Sequence, residues 1–247
     1  MFAQSLTTAA KLNKNVNYEW KFNQCLHKFV FSTVTLQSVK QHLKNLGDTH
    51  SSNDILDMDS KLLCIAFELI APVITLLINM SLELGVVIDD WKMSRVTPIY
   101  KGKGDMQDEN NYRPISVIGH IAKLLEKQVQ IQLIKFLTDH DLISLCQSAY
   151  LKKHSTTTSL HKVVEDWFDN ISDQLFTGIC LLDISKCFDS IDHTILLEKL
   201  KNYGILHKQH HWFSSYLENR SQVVSCHNLR CSTGIRTRTN LIHIILK

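Results

Sequence analysis

Three carboxylates crowd the stretch Leu181-Leu182-Asp183-Ile184-Ser185-Lys186-Cys187-Phe188-Asp189-Ser190-Ile191-Asp192-His193. The apolar run Ile179–Leu182, led in by Gly178, predicts a buried strand. Along a strand Ile179, Leu181 and Asp183 share one face, so Asp183 stands where the strand leaves the core. A carboxylate there is costly unless it is solvated, paired or bound to a metal ion. A strand-to-helix turn would bring the Phe188 ring back beside it. The plainer alternative is a strand running into a capped helix whose acids complement the helix dipole.

Two further stretches suit phosphate. Lys101-Gly102-Lys103-Gly104-Asp105 is followed by Asn110-Asn111-Tyr112-Arg113-Pro114-Ile115-Ser116. Glycines there allow a bent, closely approaching backbone, and two lysines plus an arginine supply phosphate contacts. A basic surface hairpin without a ligand has the same text. Gln147-Ser148-Ala149-Tyr150-Leu151-Lys152-Lys153-His154-Ser155-Thr156 places Lys152, Lys153 and His154 for backbone phosphate, with Ser155 or Thr156 as a helix cap.

The elements that must position these residues are mostly helical. Val34, Val39, Leu43 and Leu46 mark a short amphipathic helix ended by Gly47. Leu62 to Leu82 is the most hydrophobic stretch; Glu68, Pro72 and Asn79 interrupt it, which favours a buried helix pair broken near Pro72 over a membrane span. Ile121 to Leu137 carries a helical stripe. Asp192 is a fair N-cap, and Gly204 closes the helix behind it. Trp212 to Val224 reads as packing, with a strand starting at Val223.

With 44% apolar residues in 247, a substantial core is available and global disorder is excluded. A net charge of +3 is compatible with nucleic acid without indicating it. Seven cysteines, none in a Cys-x-x-Cys pair, read as reduced thiols of a nuclear or cytoplasmic protein. His207, His210, His211, Cys226, His227 and Cys231 lie close in sequence, but their spacing does not suit zinc.

Together these stretches resemble the reverse transcriptase of LINE-type, non-LTR retrotransposons of the jockey kind. Five blocks occur in family order: Trp91 to Lys101, Lys101 to Ser116, Gln147 to Thr158, Leu181 to His193, and Trp212 to Val224. The departures are Leu151 for an arginine, Cys187 for an alanine and Ile184 for a leucine. The resemblance implies an α+β fold: helix-rich fingers at 31–175, the first half of a right-hand polymerase palm at 176–232, an upstream tail at 1–30 and a non-family tail at 233–247. Asp183 and the Ile184 backbone carbonyl would bind Mg2+, with Asp183 catalytic. Phe188 would exclude the ribose 2′-hydroxyl. Lys101, Lys103 and Arg113 would hold the incoming deoxynucleoside triphosphate, and Lys152, Lys153 and His154 would meet nucleic acid. The implied partners are an RNA template and a DNA primer, with no membrane.

The family's second metal motif, an Asp-Asp hairpin, follows the first in sequence order. Asp89-Asp90 precedes it and reads as a solvated turn or cap. From about Thr233 the text leaves the family pattern, so the expectation is a domain truncated before its second catalytic motif and inactive alone. The alternative is a non-catalytic RNA-binding remnant of a mobile element. A third possibility is an unstable product with an exposed strand edge at Val223-Val224.

Overall fold

The structure is a computed structural model and describes residues 26–46, 54–55, 58–144, 147–151, 153–182, 191–226 and 229–233. Helices dominate: α1 (Leu36–Asn45), α2 (Ser60–Ile65), α3 (Phe67–Leu84), α4 (His120–Asp139), α5 (Thr156–Ser172), α6 (His193–Asn202) and α7 (His207–Leu217). Strands β1 (Met93–Tyr100), β2 (Tyr112–Ile118), β3 (Ser221–Cys226) and β4 (Leu229–Thr233) form one sheet in the order β2-β1-β3-β4. Only the β1–β3 pair is parallel. The expected α+β class is what the described residues adopt.

One core joins the helices. Val39 and Leu43 of α1 meet Ile74 and Ile78 of α3, Leu124, Val129 and Leu133 of α4, Leu196 and Leu200 of α6, and Trp212 and Phe213 of α7. The apolar stripe read on α4 is buried as its spacing requires. At the centre of this core a buried indole and hydroxyl satisfy each other, as burial demands. The Trp212 indole donates to Ser81 Oγ at 3.1 Å, and Ser81 donates to the Val86 carbonyl at 2.6 Å.

Upstream of α1 the chain is extended and held by two side-chain amides. Asn79 accepts from the Val34 N–H at 2.8 Å and donates to the Val34 carbonyl at 3.0 Å. Gln132 does the same with Ser32, at 2.8 and 3.0 Å. Each amide mimics the edge of a neighbouring strand. Phe29 is buried in the core, so the packed body already includes residues before 31.

Three expectations are corrected. The apolar stretch breaks at Ala66, not near Pro72; Pro72 lies inside α3 on its exposed side. Nor is this stretch buried throughout. Ala71, Ile74, Ile78 and Leu82 face the core, while an opposite stripe from Leu62 through Leu69 and Leu76 to Leu84 faces outward. By length and composition α3 is apolar enough to cross a membrane, yet its inner face is committed to the core. Second, Val223 and Val224 are not an open edge: Val223 pairs with Arg95 on β1 and with Ser232 on β4. Third, residues 178–182 form no strand and are exposed. A strand needs a neighbour for its backbone groups and its apolar face, and among the described residues none lies alongside.

Candidate nucleotide and nucleic-acid site

The hairpin β1–β2 gathers three of the expected cations at one end. Its register pairs Ile99 with Arg113 and Tyr100 with Tyr112, so Lys101 begins the connecting loop opposite Asn111, diagonal to Arg113. The Lys101 N–H donates to the Asn111 carbonyl at 2.7 Å, and its Nζ donates to the Asn110 carbonyl at 2.5 Å. Gly102 and Gly104, with φ of 75° and 84°, turn the loop where a side chain would be strained. A Cβ on Gly104 would also meet the Asn111 amide at 2.5 Å. That amide donates to the Asp105 carbonyl at 2.8 Å, and the Tyr112 hydroxyl donates to the Met106 carbonyl at 2.9 Å.

The loop is therefore tied to its own strands by several independent bonds. Lys101, Lys103 and Arg113 are all exposed on it. The nearby acids are partly occupied: Asp105 accepts from the Gln107 N–H and Asp108 from the Asn110 N–H, each at 2.9 Å. The arrangement can present cations to an anionic ligand at one hairpin tip.

One cation on the same face was missed. Strand alternation puts Arg95, Thr97 and Ile99 on one side of β1, and the register adds Arg113, Ile115 and Val117 of β2. Arg95 and Arg113 thus share a face, with Thr97, Ile99 and Ile115 exposed between them. The period-two pattern from Arg95 to Ile99 was the available signal. Asp54 was also missed: it is buried and accepts from the His120 N–H at 2.9 Å, capping α4 across 66 residues. No local pattern announces such a contact.

Ser155 caps α5 as expected. Its hydroxyl accepts from the Thr158 N–H at 3.1 Å, and Thr158 Oγ1 accepts from the Ser155 N–H at 2.8 Å, which closes a capping box. Lys153 and His154 are exposed just before it; Lys153 has a φ of 65°. Lys152 lies outside the described residues, as do Asp183, Ile184, Phe188 and Asp189. Asp192 is the N-cap of α6, accepting from the Thr194 N–H at 2.7 Å, a bond that holds its carboxyl below the usual carboxylate range. Asp89 is exposed and ion-paired to the buried Lys92 at 2.9 Å, in keeping with its reading as a turn. Among the described residues no group of three or more His, Cys, Asp or Glu side chains is placed to hold a metal ion.

Residues 100–240 match the family described as reverse transcriptase (RNA-dependent DNA polymerase). The chain belongs to the reverse transcriptase family. The match covers the cationic loop and β2, the capped helix α5 and the Asp183 stretch, and it runs past the limit expected near Thr233. Among curated relatives, the chain is 26% identical over 161 residues to the probable RNA-directed DNA polymerase from transposon BS of Drosophila melanogaster, covering 63% of this chain and 17% of that protein. It is 25% identical over 170 residues to the RNA-directed DNA polymerase from mobile element jockey of the same species, covering 69% of this chain and 18% of that one. A match at 24% over 162 residues is the retrovirus-related Pol polyprotein from type-1 retrotransposable element R2 of Popillia japonica, covering 65% of this chain and 21% of the relative. The chain spans about a sixth of the length of the first two relatives. A reverse transcriptase of the non-LTR, jockey-like kind is the lineage these similarities support.

Proposed function

We propose that this chain is part of a retrotransposon reverse transcriptase and carries the nucleotide-gripping hairpin and the first catalytic aspartate of RNA-templated deoxynucleotidyl transfer. The family match over residues 100–240 carries this reading. In the proposed reaction a DNA primer 3′-hydroxyl attacks the α-phosphate of a deoxynucleoside triphosphate, a P–O bond forms, and pyrophosphate leaves. Lys101, Lys103 and Arg113 neutralise the triphosphate, while Lys153 and His154, with Lys152, take template backbone phosphate. Phe188 selects the deoxyribose.

The finer assignment divides the chain into fingers at 31–175 and a partial palm at 176–232. Mg2+ is the proposed ion, with Asp183 and the Ile184 carbonyl as ligands; the described residues add none. Two-metal transfer needs carboxylates from both sides of the site. These 247 residues bear one such motif in family order, so the chain alone is proposed to bind substrate without extending a primer.

The test is fluorescence anisotropy with a labelled DNA primer on an RNA template, across a salt series. Binding that weakens steeply with salt and drops with Lys101→Ala or Arg113→Ala supports the reading. No binding even at low salt sinks it. Primer extension by the 247-residue chain, abolished by Asp183→Ala, would overturn the inactivity but keep the family reaction. RNA binding that needs the cations, in a longer polypeptide that never extends a primer, would mark a non-catalytic remnant.

A further inference from the structure

Among the described residues the exposed aromatic side chains are Tyr150, Phe168 and Phe176. Phe168 and Phe176 sit among carboxylates, with Glu165, Asp166, Asp169 and Asp173 close in sequence. Tyr150 sits among cations. No Asp or Glu occurs between Asp141 and Glu165, while Lys152, Lys153 and His154 follow Tyr150 directly after Leu151. Lys153 and His154 are exposed, as is more than half of the Tyr150 surface. A single exposed ring needs no explanation. The backbone beneath this one does. Tyr150 has a φ of 63°, a left-handed conformation rare for a bulky residue, and Lys153 repeats it at 65°. Left-handed residues other than glycine persist where their surroundings hold them, and they gather at ligand clamps.

Here the surroundings do hold the loop. The Gln147 N–H donates to the Ser144 carbonyl at 3.0 Å, and the Gln147 side-chain amide donates to the Ala149 carbonyl at 3.4 Å, immediately before Tyr150. The His154 N–H donates to the Leu151 carbonyl at 3.4 Å and closes a turn. The capping box of Ser155 and Thr158 follows at once. Tyr150 and Lys153 are thus carried on one tethered bend, separated by at most about 11 Å of chain. Both lie within reach of one short run of nucleotides.

We propose that Tyr150 is a stacking platform: its ring takes an unpaired nucleobase of the template strand while Lys153 and His154, with Lys152, hold the adjoining phosphates. The inference rests on the template role proposed above for those three cations, and it adds the contact that favours single strand over duplex. A base paired with the primer has its faces covered by neighbouring bases, whereas an unpaired base can present one to a ring. Stacking on an aromatic face tolerates every base, which suits a template of arbitrary sequence. The acid-free stretch serves the same end, because a carboxylate beside the ring would repel the phosphate that accompanies the base.

The experiment uses the full 247-residue chain and a DNA primer on an RNA template with an unpaired overhang. In fluorescence anisotropy Tyr150→Ala should weaken binding at least about fivefold, while Tyr150→Phe and Tyr150→Trp stay within about twofold of the parent chain, because the ring and not the hydroxyl makes the contact. Stacking releases no counterion, so Tyr150→Ala should keep the slope of the salt dependence, whereas Lys153→Ala should reduce that slope by about 0.7. Tyr150→Gly relieves the left-handed backbone and removes the ring, and it should bind as weakly as Tyr150→Ala. In parallel, 5-iodouridine placed at one overhang position at a time and irradiated should crosslink to Tyr150, with the adduct located by mass spectrometry. A parent chain that binds no better than Tyr150→Ala overturns the stacking role and leaves the proposed function standing. So does a loss that Tyr150→Phe shares, a salt slope that falls with the ring, full binding by Tyr150→Gly, or an overhang crosslink found on Phe168 or Phe176 and not on Tyr150. A parent chain that does not bind at all removes both readings.

Discussion

The helical body and the arm from Thr156 to Leu182 have similar amphipathic text and opposite fates. In the body, the apolar stripes of α1, α4, α6 and α7 meet one another, and Leu43, Leu133, Leu200 and Trp212 are almost completely buried. In the arm, α5 is well capped and carries Leu160, Val163, Trp167, Phe168 and Ile171 at helical spacing, yet no residue from 156 to 182 is buried. A stripe specifies a core only when a second stripe lies within reach. The arm leads straight into Asp183. The chain thus sets Asp183, the carboxylate proposed to be catalytic, beside an arm with no buried residue of its own.

The largest test of this contrast is a matched pair of aromatic truncations. Trp212 is fully buried, stacks on Tyr216 at 5.3 Å and meets the Phe31 ring edge-on at 5.5 Å. Trp212→Ala should cost about 3–5 kcal/mol in urea unfolding. Phe168→Ala, at a ring that is 65% exposed, should change the same midpoint by less than about 0.5 kcal/mol. Comparable losses would mean that the arm is docked in solution. A somewhat smaller loss is expected at Gly204, which has a φ of 83° and whose added Cβ would meet the His27 carbonyl at 2.0 Å. Gly204→Ala combines left-handed strain with displacement of the upstream segment and should cost at least about 2 kcal/mol.

Local chemistry was legible and long-range assembly was not. The caps Ser155 and Asp192, the helix end at Gly204 and the stripe of α4 follow from residue types within one or two turns. The hairpin that joins Lys101 to Arg113 follows from glycines and alternation over sixteen residues. Three features depend on partners far away in sequence. Asp54 caps a helix 66 residues on. Strand β3 joins β1 across more than 120 residues, which no local pattern states. The run Ile179–Leu182 has the text of a buried strand but no strand beside it among the described residues. Its pattern describes what it would do with a neighbour, and composition cannot say whether that neighbour is present.

Inside the body, Glu126 offers a sharper probe because its burial is electrostatically expensive. The Tyr216 hydroxyl donates to its carboxylate, and the Arg220 guanidinium lies over the Tyr216 ring at 4.7 Å. Burial raises the Glu126 carboxyl above its usual range despite that hydrogen bond. For an acid raised on folding, the unfolded chain releases its proton first. Stability is therefore lost as pH rises from about 4.3, the free-glutamate value, toward the folded value. Glu126→Gln removes that titration. Its unfolding free energy should fall less between pH 4 and pH 7 than that of the parent chain. An identical pH profile would show that Glu126 is solvated or fully paired.

The smallest effect expected is the one that separates the two regions most cleanly. Ser155→Ala deletes the hydroxyl that accepts the Thr158 N–H and breaks the capping box of α5. A cap of this kind is worth about 1 kcal/mol of helix stability. If the arm contributes nothing to the common core, that loss stays local. Hydrogen exchange of the α5 amides should accelerate about fivefold, while the exchange of α4 and α7 and the urea midpoint stay fixed. The same deletion at Asp192, Asp192→Ala, caps a helix whose Leu196 and Leu200 are buried in the body, so its cost should appear in the global midpoint. That cost should vanish as pH falls through the depressed carboxyl value of Asp192, where the protonated side chain no longer supplies its charge. A global response to Ser155→Ala would mean that α5 folds with the body after all, and that the Asp183 stretch starts from a rigid support.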